Sequence, residues 1–111
     1  GLFKFFYVFV INMLSSRAFK KNLKYLIAAS RGGPMRARII GMLAEKPQNP
    51  NQLSEKLGVD YKTVRHHLEV LLKYNWVSNK ADKYGDLYML TFTSEEKQAF
   101  DDVIGRIGKK L

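Results

Sequence analysis

Between two stretches of helical periodicity, "NQLSEKL" and "YKTVRHHLEVLLKY", stand only Gly58, Val59 and Asp60. That spacing constrains the fold more than any other feature of the chain. Glycine adopts the left-handed backbone that ends a helix, and an aspartate at the N-cap accepts a hydrogen bond from a free N–H of the next one. A helix from about Asn51 to Leu57 therefore stops at Gly58, and a second begins after Asp60. Two helices joined by a Gly-containing turn of this length form a helix-turn-helix. In the second, Val64, Leu68 and Leu71 recur at intervals of four and three and define the buried stripe, bordered by His67 and Leu72. Tyr61, Lys62, Arg65, His66 and Glu69 fall away from it.

Asn75 can take the left-handed geometry that closes this helix. "WVSNK", Trp76 to Lys80, then reads as a strand, "ADKYGD" as a hairpin turn, and "LYMLTF", Leu87 to Phe92, as the returning strand. Thr93 and Glu96 make a capping box for a last helix to about Lys109, with Phe100, Val103, Ile104 and Ile107 apolar. Gly105 and Gly108 each cost that helix about 1 kcal/mol relative to Ala, so it needs packing from elsewhere.

Upstream, "LFKFFYVFVINML", Leu2 to Leu14, is interrupted only by Lys4 and Asn12. As a helix it covers about 20 Å, short of the ~30 Å hydrocarbon core of a bilayer. The basic run after it, Arg17, Lys20, Lys21 and Lys24 with no acid before Glu45, matches the cytoplasmic flank of a membrane helix. Two readings stand: a truncated membrane segment, or an apolar helix buried in a dimer interface. Ser15 or Ser16 is expected to cap a second helix through about Ala29, with Phe19, Leu23, Leu26 and Ile27 on one stripe. Gly32-Gly33 stops the chain and Pro34 restarts it, since proline fits a first helical turn. The third helix runs to Glu45 with Ile39, Ile40, Leu43 and Ala44 as core positions and Arg36 and Arg38 outward. "KPQNPNQ" is turn chemistry.

The predicted fold is mainly α with a small β-hairpin, a winged helix-turn-helix with N- and C-terminal helical extensions. Residues 1–29 form the apolar and basic N-terminal extension, for dimerisation or membrane proximity. Residues 30–92 are the expected DNA-binding domain, and 93–111 a C-terminal helix. At 111 residues the chain suits one small domain rather than a two-domain enzyme. Its 19 Lys+Arg against 10 Asp+Glu, a net charge of +9, favour a polyanionic partner, nucleic acid first and an anionic membrane surface second.

A helix fits the major groove and presents its N-terminal residues to base edges. Residues 61–74 are the expected recognition helix and residues 80–86 the wing on the adjacent backbone. Arg65 can contact guanine bidentately, Lys62 and Thr63 suit phosphate, and Tyr61 or His66 suits either. Lys80, Lys83 and Tyr84 on the wing can grip phosphate or a minor groove, although a charged hairpin tip also protects a sheet edge. His66 and His67 point about 100° apart on a helix and lack a third ligand nearby, so no metal site is expected. With no Gly-rich phosphate cradle, nucleophile elbow or metalloprotease pair, the chain is not expected to be an enzyme, and no cofactor is predicted. The competing reading is a membrane-associated or protein-interaction winged-helix module without specific DNA binding.

"RGGPMRARIIGML" and "NPNQLSEKLGVDYKTVRHHLEVLLKYNWV" together resemble ArsR-like winged helix-turn-helix regulators, particularly archaeal members with "YKTVRHHL" in the recognition helix. The resemblance covers roughly Arg31 to Phe92. It implies a homodimer that binds specific double-stranded DNA and regulates transcription, often by repression that an effector releases. It also implies dimerisation through the terminal helices. The chain departs from the family's thiolate metal sensors in having no cysteine. A cytoplasmic location follows, with tethering to the membrane through residues 1–24 as the variant that joins both features.

Overall fold

The computed structural model describes residues 1–110; Leu111, the last residue of the C-terminal helix expected over 93–111, lies outside the described residues. The chain opens with a single helix, α1 (Leu2–Leu23), that runs on without a break into a π-helical turn, Lys24–Ala28. The helix start expected at Ser15 or Ser16 is absent. A serine caps a helix only where the backbone leaves helical geometry, and no Gly or Pro stands near to make it do so. Continuing the helix instead adds one backbone hydrogen bond per residue. The π turn is closed by Ala29 N–H donating to the Lys24 carbonyl at 2.9 Å. Phe19, Leu23, Leu26 and Ile27, the stripe expected from the sequence, are all buried.

Helix α2 (Gly33–Glu45) follows across a tight junction. A Cβ at Gly33 would lie 1.9 Å from the Ile27 carbonyl oxygen, so only glycine lets α2 start this close to the π turn. After Gly33, the buried positions on α2 are Arg36, Ile39, Ile40 and Leu43. These repeat at three, four and seven residues, a single helical stripe. Arg36 therefore points inward, against the expectation from its charge, and Ala44, expected in the core, is exposed because it lies one residue past the stripe.

Helix α3 (Pro50–Leu57) begins at Asn49, whose side chain accepts from Gln52 N–H while Gln52 accepts from Asn49 N–H, each at 2.8 Å. It ends at Gly58 in the left-handed conformation, φ 67°. Helix α4 (Tyr61–Lys73) follows, and Asn75 takes φ 59° just beyond it. Asp60 occupies the N-cap position, but its carboxylate takes the Thr63 hydroxyl rather than a backbone N–H.

Strands β1 (Val77–Asp82) and β2 (Gly85–Leu90) form an antiparallel hairpin in register from Val77 opposite Leu90 to Asp82 opposite Gly85. The turn is shorter than "ADKYGD": Lys83 and Tyr84 alone are unpaired, with Asp82 Oδ1 accepting from Tyr84 N–H at 2.8 Å. Gly85 at φ 106° completes it. The segment "KPQNPNQ" does more than turn. Gln48 exchanges two backbone hydrogen bonds with Tyr88, at 3.1 and 2.9 Å, and so adds a one-residue bridge along β2. The buried Gln48 side chain donates to the Met42 carbonyl and accepts from Lys56 Nζ, tying α2, α3 and the wing together.

Helix α5 (Ser94–Lys110) opens with the expected capping box between Thr93 and Glu96. It returns to pack beside α1 and the π turn. Where these elements meet, Phe19 and Trp76 pack edge-to-face with Phe92, which in turn reaches Phe100, with ring centroids 5.1–6.1 Å apart. Helix-turn-helix, hairpin and flanking helices make a winged helix-turn-helix fold with helical extensions.

Candidate nucleic-acid interface

The second helix of the motif, α4, is held from behind. Val64, Leu68 and Leu71 have no exposed surface, and each removes about 1.5–3 kcal/mol worth of apolar side chain from water. That burial fixes which residues face outward. Tyr61, Lys62 and His66 are exposed, whereas Thr63 and Arg65 are half-buried.

The half-buried pair are engaged within the protein. Thr63 donates to Asp60, and this bond, ahead of the charge of Lys62, holds the Asp60 carboxyl below its ordinary pKa. Arg65 Nη1 donates to the Tyr88 hydroxyl at 3.2 Å. Tyr88 is almost wholly buried on β2, and its burial raises the phenol pKa, partly offset by the Arg65 charge. Arg65 is therefore tied to the wing by this one hydrogen bond, and the rest of its donor fork remains for another ligand. Sequence reasoning missed Tyr88 as a partner, although the alternation in "LYMLTF" places it on the core face with Leu90.

A second brace lies behind α4. Arg36 donates through Nε and Nη2 to the Leu26 carbonyl at 3.0 and 2.8 Å and through Nη2 to the Ser30 hydroxyl. Its Nη1 lies 3.4 Å from His67 Nδ1. One guanidinium thus joins the π turn, the loop before α2 and helix α4. Burial, then the Arg36 charge and, least, the adjacent His66 lower the His67 pKa. A guanidinium can only donate, so the Arg36 contact requires His67 Nδ1 to accept, the role it has in the neutral ring that carries its proton on Nε2. The His66 and His67 rings are 5.5 Å apart and tilted by 60°, and among the described residues no three of His, Cys, Asp and Glu converge as a metal site.

On the wing, Lys80, Lys83 and Tyr84 are all exposed. Lys83 Nζ sits over the Tyr84 ring, 5.1 Å from its centroid, so the two hairpin-tip residues form one cationic, planar surface. Lys80 lies opposite Leu87 in the hairpin register. Of the residues singled out from sequence, the structure joins Lys83 with Tyr84 and ties Arg65 to the wing through Tyr88. Tyr61, Lys62 and His66 remain exposed on α4.

Residues 33–78 match the family described as "Bacterial regulatory protein, arsR family". Among curated proteins none matches the chain by sequence. Several solved structures share its fold. The transcriptional regulator BldR from Sulfolobus solfataricus aligns with a TM-score of 0.61 at 12% identity, covering 93% of this chain and 79% of that one. A mutant MarR from E. coli complexed with operator DNA aligns at 0.58 and 18% identity, covering 91% and 73%. A possible transcriptional regulator for arsenical resistance aligns at 0.52 and 20% identity, covering 67% and 75%. The fold is that of ArsR- and MarR-type winged-helix transcription regulators.

Proposed function

We propose that this chain is a sequence-specific, double-stranded DNA-binding transcription regulator that works as a homodimer. Helix α4 enters the major groove and the β1–β2 wing lies on the adjacent backbone. The observation that carries the reading is the state of α4: one face locked into the core, the other carrying free Tyr61, Lys62 and His66 at the helix N-terminus. A rigid helix with donors at its N-terminal end meets base edges and phosphates at little entropic cost. The net charge of +9 supplies the attraction to a polyanion.

Within this reading Arg65 is the specificity residue, braced by Tyr88, and Lys62 and Thr63 serve phosphate. Tyr61 and His66 complete the α4 contact. Lys80, Lys83 and Tyr84 grip backbone or minor groove. A two-fold dimer would offer two copies of α4 to half-sites about 34–36 Å apart. Val103, Ile104 and Ile107 on α5 pack partly against this chain's core, and the apolar surface they leave exposed would be offered to the second copy. The matched arsR-family segment and the operator-bound MarR relative in fold support the same assignment.

The test is titration of the purified chain against random and selected genomic duplexes at two salt concentrations. Strong salt dependence, with a subset bound at least ~1000-fold tighter than random DNA, is the expected result. Absence of binding at low salt would overturn the reading.

A further inference from the structure

The first turns of α1 leave their apolar side chains exposed, and the helix comes beside the start of α5 from Asn12 onward. Leu2, Phe3 and Phe5 are 90%, 86% and 74% exposed, and Phe6, Tyr7, Phe9 and Leu14 all remain more than half exposed. In a small folded protein this is far more contiguous apolar surface than water tolerates. Something covers it, and the pattern around the helix says what. A helix that docks on one protein partner carries an apolar stripe and a polar back. Residues advance about 100° each around a helix, which places Phe3, Phe6, Phe9, Val10 and Leu14 on one side. The sector that holds Lys4 and Asn12 is shared with Phe5 and Val8. No polar back exists, so burying one stripe against a second copy would leave Phe5, Val8 and Ile11 in water on the other side.

The charge pattern continues the argument. Directly after the apolar turns come Arg17, Lys20, Lys21 and Lys24, all exposed, and the sequence holds no acid before Glu45. From Arg17 to Lys24 the helix rises roughly 10 Å, comparable to a lipid headgroup layer, while Leu2 to Leu14 spans about 20 Å, enough to pass a bilayer midplane. Arg106 of α5 lines the same groove as Lys20 and Lys24, beside one carboxylate, Asp102. Phe19 and Leu23, on the opposite face of these turns, are already buried in the winged-helix domain.

We propose that α1 inserts Leu2–Leu14 into an anionic phospholipid bilayer, with Arg17, Lys20, Lys21 and Lys24 at the headgroups. Because Phe19 and Leu23 belong to the same unbroken helix and to the core, the tether is rigid, and the winged-helix domain sits against the membrane surface. The basic girdle assigns that surface to the cytoplasmic leaflet, where positive residues flank membrane helices. The inference is independent of what α4 binds.

Vesicle flotation of the full chain tests it, using phosphatidylcholine vesicles with and without phosphatidylglycerol. The chain should float with both and bind the anionic vesicles at least about tenfold more tightly. A double variant, Phe6→Lys with Phe9→Lys, should stay with the soluble fraction. Both positions are exposed, so its far-UV circular dichroism and thermal transition should match the parent. Replacing Lys20, Lys21 and Lys24 by Gln should remove the preference for anionic vesicles and leave binding to neutral ones. Three outcomes would overturn the proposal: no flotation with either vesicle; flotation undiminished in the double-lysine variant; or a soluble dimer, seen by sedimentation, that the double-lysine variant dissociates. DNA titration of the same variants separates the two questions, since loss of flotation with DNA binding intact bears on α1 alone.

Discussion

Two helices of this chain expose themselves in opposite ways. Helix α4 is sharply two-faced: Val64, Leu68 and Leu71 have no surface in water, while Tyr61, Lys62 and His66 are free. The first half of α1 is apolar on every side and, Val10 aside, exposed. Tertiary packing alone can satisfy α4, and its polar face is left over for a ligand that water can also reach. The same packing cannot satisfy α1, since a helix without a polar side has no orientation in which one neighbour is enough. The contrast separates two kinds of exposed surface: one chosen by the fold and one that the fold leaves unresolved.

Stability measurements break this comparison most directly. Leu68→Ala should cost about 2–5 kcal/mol in urea unfolding, the transfer term plus the cavity left in a closed core. Phe6→Ala in the absence of lipid should change stability by less than about 0.5 kcal/mol despite removing a larger side chain. Comparable losses at the two sites would mean that α1 packs on the domain in solution.

The next largest effects sharpen the reading of α4. Arg65→Ala should weaken a specific DNA site by about 1–3 kcal/mol and relax its base preference. Equal loss on random duplexes would reassign Arg65 to the phosphates. Tyr88→Phe, which leaves the fold intact but releases Arg65 from its acceptor, should cost specific binding about 0.5–1.5 kcal/mol. Affinity that rises instead would show that the hydroxyl competes with DNA for the guanidinium.

Acid should act through His67. Its pKa is lowered in the folded protein by burial and by Arg36 and His66, so the unfolded chain binds the proton more readily. The stability it contributes is therefore complete above about pH 6.5 and declines as the pH falls below that value. Protonation also places an imidazolium against Arg36, whose Nη1 lies 3.4 Å from Nδ1. Denaturant midpoints between pH 7.5 and 5 check this, and His67→Gln should flatten the profile over that range. A profile unchanged by the substitution would assign the acid sensitivity to other groups.

The smallest expected effect belongs to the wing. Lys83→Ala should weaken binding evenly across sequences and lower the salt slope by roughly one unit. An unchanged slope would remove Lys83 from the DNA footprint and leave its stacking on Tyr84 as its role.

Much of this architecture was legible in advance. Gly58, Asn75 and the Thr93–Glu96 pair punctuate the chain locally, and their geometry follows from one or two neighbouring residues. The buried stripe of α4 and the buried set Phe19, Leu23, Leu26 and Ile27 follow from helical periodicity. Elements governed by distant partners escaped. Arg36 lies on a regular apolar stripe, but its charge pointed outward until the carbonyl of Leu26 and the hydroxyl of Ser30 were brought to it. Gln48 read as part of a turn until β2 arrived to pair with it.

What the sequence determines by itself is therefore short-range: where helices stop, which side of each is apolar, and a basic charge that asks for a polyanion. Backbone sterics and side-chain spacing settle these within a few residues. The tertiary structure alone decides which polar groups can be buried, because a buried donor needs an acceptor and that acceptor comes from elsewhere in the chain. Arg36 with Leu26 and His67, Gln48 with Tyr88, and Arg65 with Tyr88 are three such decisions. Together they aim α4 and its wing at whatever the domain reads.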